Sequence, residues 1–230
     1  MATTSNSEKT SISNYRYERK FFITNLSLSE VEVLVKVHPY QFFEIYHQRF
    51  INNIYYDSPT LECLEDNISG VNNRMKVRIR WYGDLFGNIE KSKLELKIRT
   101  GFLGKKHSTM VEPFQLCIGD SVNSLSPDIK YYGKNMSIDL SSFRPTLLNR
   151  YSRKYYLSQD KSFRITIDSN QIFSVLRNNV FSNNLKDSHS VIVELKYDEV
   201  MDDLAREIST LFPFRLSKSS KYVRGLTMFD

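Results

Sequence analysis

The chain has only two cysteines and four histidines in 230 residues, and this excludes several kinds of chemistry. Cys63 and Cys117 lie far apart without metal-ligand spacing, so they predict free thiols in a reducing compartment, not a disulfide framework. His38, His47, His107 and His189 are scattered, with no HxH or HExxH pattern, and a zinc centre is not expected. No apolar run approaches the roughly 18 residues needed to span a bilayer. Residues 1–14 are polar and Ser/Thr-rich and lack the apolar stretch of a secretory signal; they predict a disordered tail, and the chain is expected to be soluble and cytoplasmic. Repeats and interdomain linkers are also missing, so residues 15–230 are expected to form one domain. At 40% hydrophobic residues, the chain can bury a core without crosslinks.

The net charge of +6 suits an anionic partner, but such an excess is common, and its placement matters more than its size. A first strand is predicted over 15–23. Ser27 and Glu30 form a capping box that opens a helix ending near His38-Pro39. Residues 42–56 are rich in aromatic and β-branched side chains and predict a long strand or hairpin, closed by Asp57-Ser58-Pro59 and a short helix ending by Gly70. Strands follow at 74–82 and 91–99, then a basic linker between Gly101 and Gly104. Region 114–145 carries no legible pattern. Four more strands are predicted at 146–157, 162–170, 171–181 and 189–197. Val200, Leu204, Ile208 and Leu211 recur at helical spacing before a Lys-rich terminus.

Side chains two apart in a strand share a face. Val77, Ile79 and Trp81 therefore oppose Lys76, Arg78 and Arg80, and Leu94, Leu96 and Ile98 oppose Lys93, Glu95, Lys97 and Arg99. Phe163, Ile165 and Ile167 oppose Arg164, Thr166 and Asp168, while Val193 and Leu195 oppose Glu194 and Lys196. For any one strand, the simpler reading is an ordinary half-exposed antiparallel sheet with its ionic face in water. Here carboxylates sit two residues from lysines three times (Glu18/Lys20, Glu95/Lys97, Glu194/Lys196), and arginines, the planar forks suited to phosphate oxygens, recur on several strands. If the sheet closes into a barrel, the ionic faces line its interior and the apolar faces meet outer helices. A charged interior requires a charged guest, because buried unpaired charge is costly.

These segments, in order, are YERKF (17–21), NIYYDS (53–58), VRIRWYG (77–83), LELKIR (94–99), NRYSRKYY (149–156), FRITID (163–168), VIVELKY (191–197) and SKYVRG (220–225). The set resembles the catalytic domain of the vacuolar transporter chaperone (VTC) family, a polyphosphate polymerase branch of the triphosphate tunnel metalloenzymes. The resemblance implies an α+β fold: a closed antiparallel β-barrel of about eight strands with a few outer helices. It implies phosphate contacts from Lys20, Arg78, Arg80, Lys97, Arg153, Arg164, Lys218 and Lys221. Glu194 is the implied ligand of a divalent metal, Mn2+ or Mg2+, with Glu18 and Glu95 as secondary candidates. The superfamily's opening ExExK pattern is here Glu18-Arg19-Lys20 without a further carboxylate, which favours the VTC branch over two-metal hydrolysis.

The expected activity is transfer of the γ-phosphoryl of ATP to a growing polyphosphate chain. A phosphohydrolase of the same fold, or a non-catalytic module binding polyphosphate or inositol phosphates, is the alternative. Nucleic acid is not the expected partner, because carboxylates on the same strand faces would repel its backbone. Export of polyphosphate across a membrane would require another, membrane-embedded subunit.

Overall fold

The alternation of apolar and ionic side chains builds a strongly curved sheet in the computed structural model, which describes residues 16–100, 103–117, 127–177 and 180–229. The predicted disordered tail, 1–14, lies outside the described residues. In chain order the first half contains β1 (Arg16–Ile23), α1 (Leu28–Lys36), β2 (Phe43–Asp57), α2 (Glu62–Ser69), β3 (Asn73–Tyr82), β4 (Gly87–Ile89), β5 (Ser92–Thr100), β6 (Leu103–Val111) and β7 (Phe114–Leu116). The second half contains α3 (Ile129–Asn135), β8 (Arg144–Leu157), β9 (Arg164–Arg177), β10 (Val180–Asp187), β11 (Val191–Asp198), α4 (Asp202–Leu211) and α5 (Lys221–Thr227).

Nine strands form one antiparallel sheet in the order β1-β11-β9-β8-β2-β3-β5-β6, with β10 beside β9; β4 and β7 form a separate ribbon. The fold is the α+β tunnel architecture, but the expectation of a closed barrel needs correction. Among the described residues β1 and β6, the two ends of the path, do not pair with each other. The sheet curls until Lys97 Nζ on β5 reaches Glu18 Oε1 on β1 at 3.1 Å, so side chains rather than backbone hydrogen bonds span the gap.

Four other expectations change. The basic stretch after Gly101 belongs to β6, a hairpin partner of β5 in which Lys106 lies opposite Lys97. Its charges mask it as a linker, since an edge strand tolerates lysines on both sides. The strands expected at 162–170 and 171–181 are one strand, β9. Asn170 takes a left-handed φ of 51° without breaking it, at a bulge in β9 where the step from Ser169 to Ile172 lies against the shorter step from Ser152 to Arg150 on β8. The segment from Val180 turns back as β10. Eleven strands are therefore described where about eight were expected. Last, the Lys-rich terminus folds as α5, whose N-cap Ser220 accepts the Val223 N–H.

Three helices, α1, α3 and α4, cover the apolar side of the sheet. Val31 and Val35 of α1 and Ala205 and Ile208 of α4 pack with Phe21, Phe163, Ile165, Val193 and Leu195, all fully or nearly fully buried. The capping box at Ser27 and Glu30 is present as the sequence predicts. A second core gathers Ile54, Val77, Ile79, Trp81, Leu94 and Leu96 with Ile129 and Tyr132 of α3. Asp57 ties two helices to the sheet. Its carboxylate accepts the backbone N–H groups of Ser58, Cys63 and Leu64 at 2.7, 2.8 and 2.9 Å, and also the hydroxyl of Tyr222 in α5. No helix among the described residues is long and apolar enough to cross a membrane.

Candidate active site

The ionic faces of six strands meet on the concave side of the sheet. One group centres on Glu194 of β11, which is 7% exposed. Its carboxylate meets Lys196 Nζ at 2.9 Å, Lys20 Nζ at 3.4 Å and Arg153 at 3.5 Å, and accepts from Thr166 Oγ1 at 3.4 Å. Burial pushes this carboxyl up, but Lys196, Lys20 and Arg153 outweigh it and hold the group ionised, well below the usual carboxylate range. Lys20 also meets Glu18 at 3.2 Å. Burial alone would lower the Lys20 ammonium, yet Glu194 and Glu18 raise it above its ordinary value. Asp168 of β9 takes Arg153 through both oxygens and accepts Lys221 Nζ as well.

A second group centres on Glu95 of β5. Arg78 donates to it from Nε at 2.9 Å and NH2 at 2.7 Å, Lys106 from Nζ at 2.6 Å, and Arg80 NH1 lies 3.7 Å away. Arg80 also donates to Asn53 Oδ1 at 2.9 Å. Tyr151 of β8 joins the two groups: its hydroxyl accepts from Arg80 at 3.3 Å, and its ring lies 4.5 Å from Lys221 Nζ and 5.3 Å from the Arg153 guanidinium. Burial raises the Tyr151 phenol, but Arg153 and Arg80 bring it below its ordinary 10.

At one end the concave side opens into a cavity of about 630 Å3 between the C-terminal end of α2, the strands and the start of α5. Seven cationic side chains line it (Lys20, Arg74, Lys76, Lys97, Arg99, Lys218, Arg224) against one carboxylate, Glu18. Such an excess focuses positive potential on the opening. Lys76 Nζ donates to Ser220 Oγ at 2.9 Å and has no carboxylate among its described partners. Burial, then the repulsion of Lys20, Lys97, Arg78 and Arg74, drives its pKa down to about 7.

Most of the residues singled out in the sequence converge. Glu18, Lys20, Lys97, Arg153, Lys221 and Glu194 form one connected network, and Arg78, Arg80 and Glu95 the next. Arg164 stays apart: it is exposed at the start of β9, opposite Leu157, with no ion pair among the described residues. Lys218 is exposed on the cavity rim. Five residues of the two groups and the cavity carried only a place on a strand face or in the basic linker, or none: Lys76, Asp168, Lys196, Lys106 and Tyr151. For the first three the period-two alternation was the available signal; for Tyr151 its spacing two residues before Arg153 would have served.

Among the described residues no three His, Cys, Asp or Glu side chains gather into a cation cage. Glu18 and Glu194 share the Lys20 ammonium, and this pair fits an ion that arrives with phosphates. A magnesium-like cation is commonly held by one or two carboxylates, with phosphate and water completing its shell.

Several known proteins are similar to this chain. A candidate adenylate cyclase from Vibrio parahaemolyticus shares the fold, at 13% identity and a TM-score of 0.51 over 93% of this chain and 98% of that one. The PH1819 protein of Pyrococcus horikoshii is 15% identical, with a TM-score of 0.49 over 93% and 97% of the two chains. A candidate adenylyl cyclase from Hippeastrum, described as having a dominant triphosphatase activity, is also 15% identical, with a TM-score of 0.47 over 92% and 96%. No curated protein matches the sequence. Residues 15–229 match the VTC domain, and the chain belongs to the VTC domain family.

Proposed function

We propose that this protein is a metal-dependent phosphotransferase that moves the γ-phosphoryl of ATP onto the end of an inorganic polyphosphate chain. The observation that carries the reading is the concave ionic face, where arginine forks from β3 and β8 stand beside lysines from β1, β3, β5 and α5 and open into a cavity lined by seven cations.

Phosphoryl transfer asks for positioning and charge neutralisation more than for covalent chemistry by the protein. A terminal phosphate oxygen of the polyphosphate attacks the γ-phosphorus, the bond to the β–γ bridging oxygen breaks, and ADP leaves. The attacking oxygen is already ionised at neutral pH, so no general base is needed. Arg78, Arg80 and Arg153 bind the transferring group and neutralise its charge. Glu95 and Asp168 hold these guanidinium planes in place. Lys20, Lys76, Lys97, Lys218 and Lys221 hold the chain on either side, and Arg164 meets phosphate at the opposite end. Mg2+ or Mn2+, held by Glu194 and Glu18 with substrate phosphates, supplies further charge neutralisation when bound.

The test is incubation with ATP and Mn2+, then Mg2+, with gel separation of long phosphate chains and a parallel assay of free phosphate. Long chains from the parent protein that disappear in Arg78→Ala and Glu194→Ala are the expected result. Free phosphate without chains would instead identify a phosphohydrolase. Tight polyphosphate binding with no turnover would identify a binding module.

A further inference from the structure

The end of the tunnel opposite the basic cavity has a different chemistry. On β3 the ionic side runs from Lys76 at the cavity to Tyr82 at the far end, about 20 Å away for six residues of strand. On β8 it runs through Tyr151 and Arg153 to Tyr155. On β2 a bulge between Tyr46 and Arg49 inserts one residue, so that Arg49 lies opposite Arg153 and Tyr46 opposite Tyr155. Without that extra residue Tyr46 would face the helical side; the bulge turns it toward the tunnel.

The result is a group of rings and guanidinium at the mouth. Tyr46 and Tyr155 meet edge to face, with centroids 5.7 Å apart. The Arg49 guanidinium lies 4.8 Å from the Tyr46 ring and 5.7 Å from the Tyr155 ring. Tyr46 is 52% exposed and Tyr82 54% exposed, so the platform faces solvent rather than a core. Among the described residues no carboxylate pairs with Arg49, nor with Arg164 two residues beyond Thr166 on the neighbouring strand; Tyr155 lies opposite Thr166. A run of rings and unpaired arginines without carboxylates suits a flat π-system carrying an anionic tail. A bare phosphate chain has no use for the rings.

We propose that Tyr46, Arg49 and Tyr155 form the base-stacking subsite for a nucleoside triphosphate whose phosphates enter the tunnel past Arg153. The inference rests on the phosphotransferase reading and adds the residues that hold the base and the orientation of the nucleotide. Tyr155 follows Arg153 by two residues on the same face, about 6.7 Å along the strand, which places a ring one step beyond the first phosphate contact. The base then stays at the aromatic mouth, the triphosphate points inward, and the growing chain leaves through the cavity lined by Lys76 and Lys218. Stacking on exposed rings tolerates any base, so adenine, guanine and cytosine nucleotides are all accepted, purines more tightly.

The experiment is calorimetric titration of the full chain, in EDTA, with ATP and with inorganic tripolyphosphate, which carries the phosphates but no base. Tyr46→Ala and Arg49→Gln are expected to weaken ATP by at least about fivefold and to leave tripolyphosphate within about twofold, while Tyr46→Phe retains ATP affinity. Tyr46 is exposed, so its removal leaves the fold intact. Equal losses for both ligands, or none for either, would overturn the subsite while the phosphate tunnel stood. If tripolyphosphate fails to bind the parent protein both in EDTA and with Mg2+ present, the phosphotransferase reading falls, and the subsite with it.

Discussion

Asp168 on β9 grips Arg153 on β8 through both carboxylate oxygens, at 2.5 and 2.6 Å, with Asp168 fully buried and Arg153 only 7% exposed. The same carboxylate also accepts Lys221 from the first turn of α5. One anion thus orients two cations from different elements, and one of them touches Glu194.

Removing that anion takes the carboxylate from Lys221 and leaves Arg153 only its 3.5 Å contact with Glu194. Asp168→Ala is expected to lower unfolding stability by about 3–5 kcal/mol, the usual cost of breaking a buried ion pair. Urea denaturation measures it. A loss below 1 kcal/mol would mean that solvent or Glu194 takes over both cations.

Lys76 predicts a pH dependence. Its pKa is about 7 in the folded chain against 10.5 in an ordinary lysine. Because the value is depressed, the unfolded chain binds more protons between pH 7 and 10.5, and stability rises with pH across that window. Anion binding runs the other way: a bound phosphate favours the charged ammonium, so tripolyphosphate affinity falls as pH rises through about 7. Titrations at pH 6 and pH 8 should show this fall in the parent protein and a much smaller one in Lys76→Met.

Glu95 works in the acid range. Burial pushes its carboxyl up, but Arg78 and Arg80 outweigh this and hold it at about 2, against 4.5 unperturbed. The stabilisation is fully present above pH 4.5 and is lost as pH falls toward 2. Denaturation followed between pH 5 and pH 2 should give a shallower acid slope for Glu95→Gln than for the parent chain. The variant should also be less stable at pH 7, because Arg78 and Arg80 lose their charged partner.

Gly225 is required by space rather than by backbone angle. A Cβ there would lie 2.5 Å from Leu147 Cδ2 and 2.6 Å from Phe173 Cδ1, both in fully buried side chains. Alanine improves helix propensity by up to about 1 kcal/mol, but overpacking costs about 1–3 kcal/mol, so Gly225→Ala is expected to destabilise or to displace α5. Tripolyphosphate affinity should fall with it, since Lys221 and the Ser220 partner of Lys76 lie at the start of that helix. An unchanged melting temperature and affinity would show that Leu147 and Phe173 have room to move.

Much of this protein is decided by local alternation. The two-residue period in VRIRWYG and LELKIR is enough to put Val77, Ile79, Leu94 and Leu96 in a core and Arg78, Arg80 and Glu95 on the other side, because side-chain direction in a strand depends only on parity. The capping box at Ser27 and Glu30 is likewise a matter of three residues. Parity fails where the backbone breaks its own rule. The bulge that turns Tyr46 toward the tunnel depends on pairing with a strand about a hundred residues away, and β9 runs whole through Asn170 because β8 pairs along one side of it and β11 and then β10 along the other. Pairing order is equally non-local: whether β1 and β6 close the sheet, and which carboxylate meets which cation, depends on accumulated twist and on α5 packing through Gly225. Local order along the chain sets which side chains share a face; long-range pairing sets which of them meet, and crowds Lys76 with four cations and no carboxylate among its described partners, so that its pKa falls to about 7.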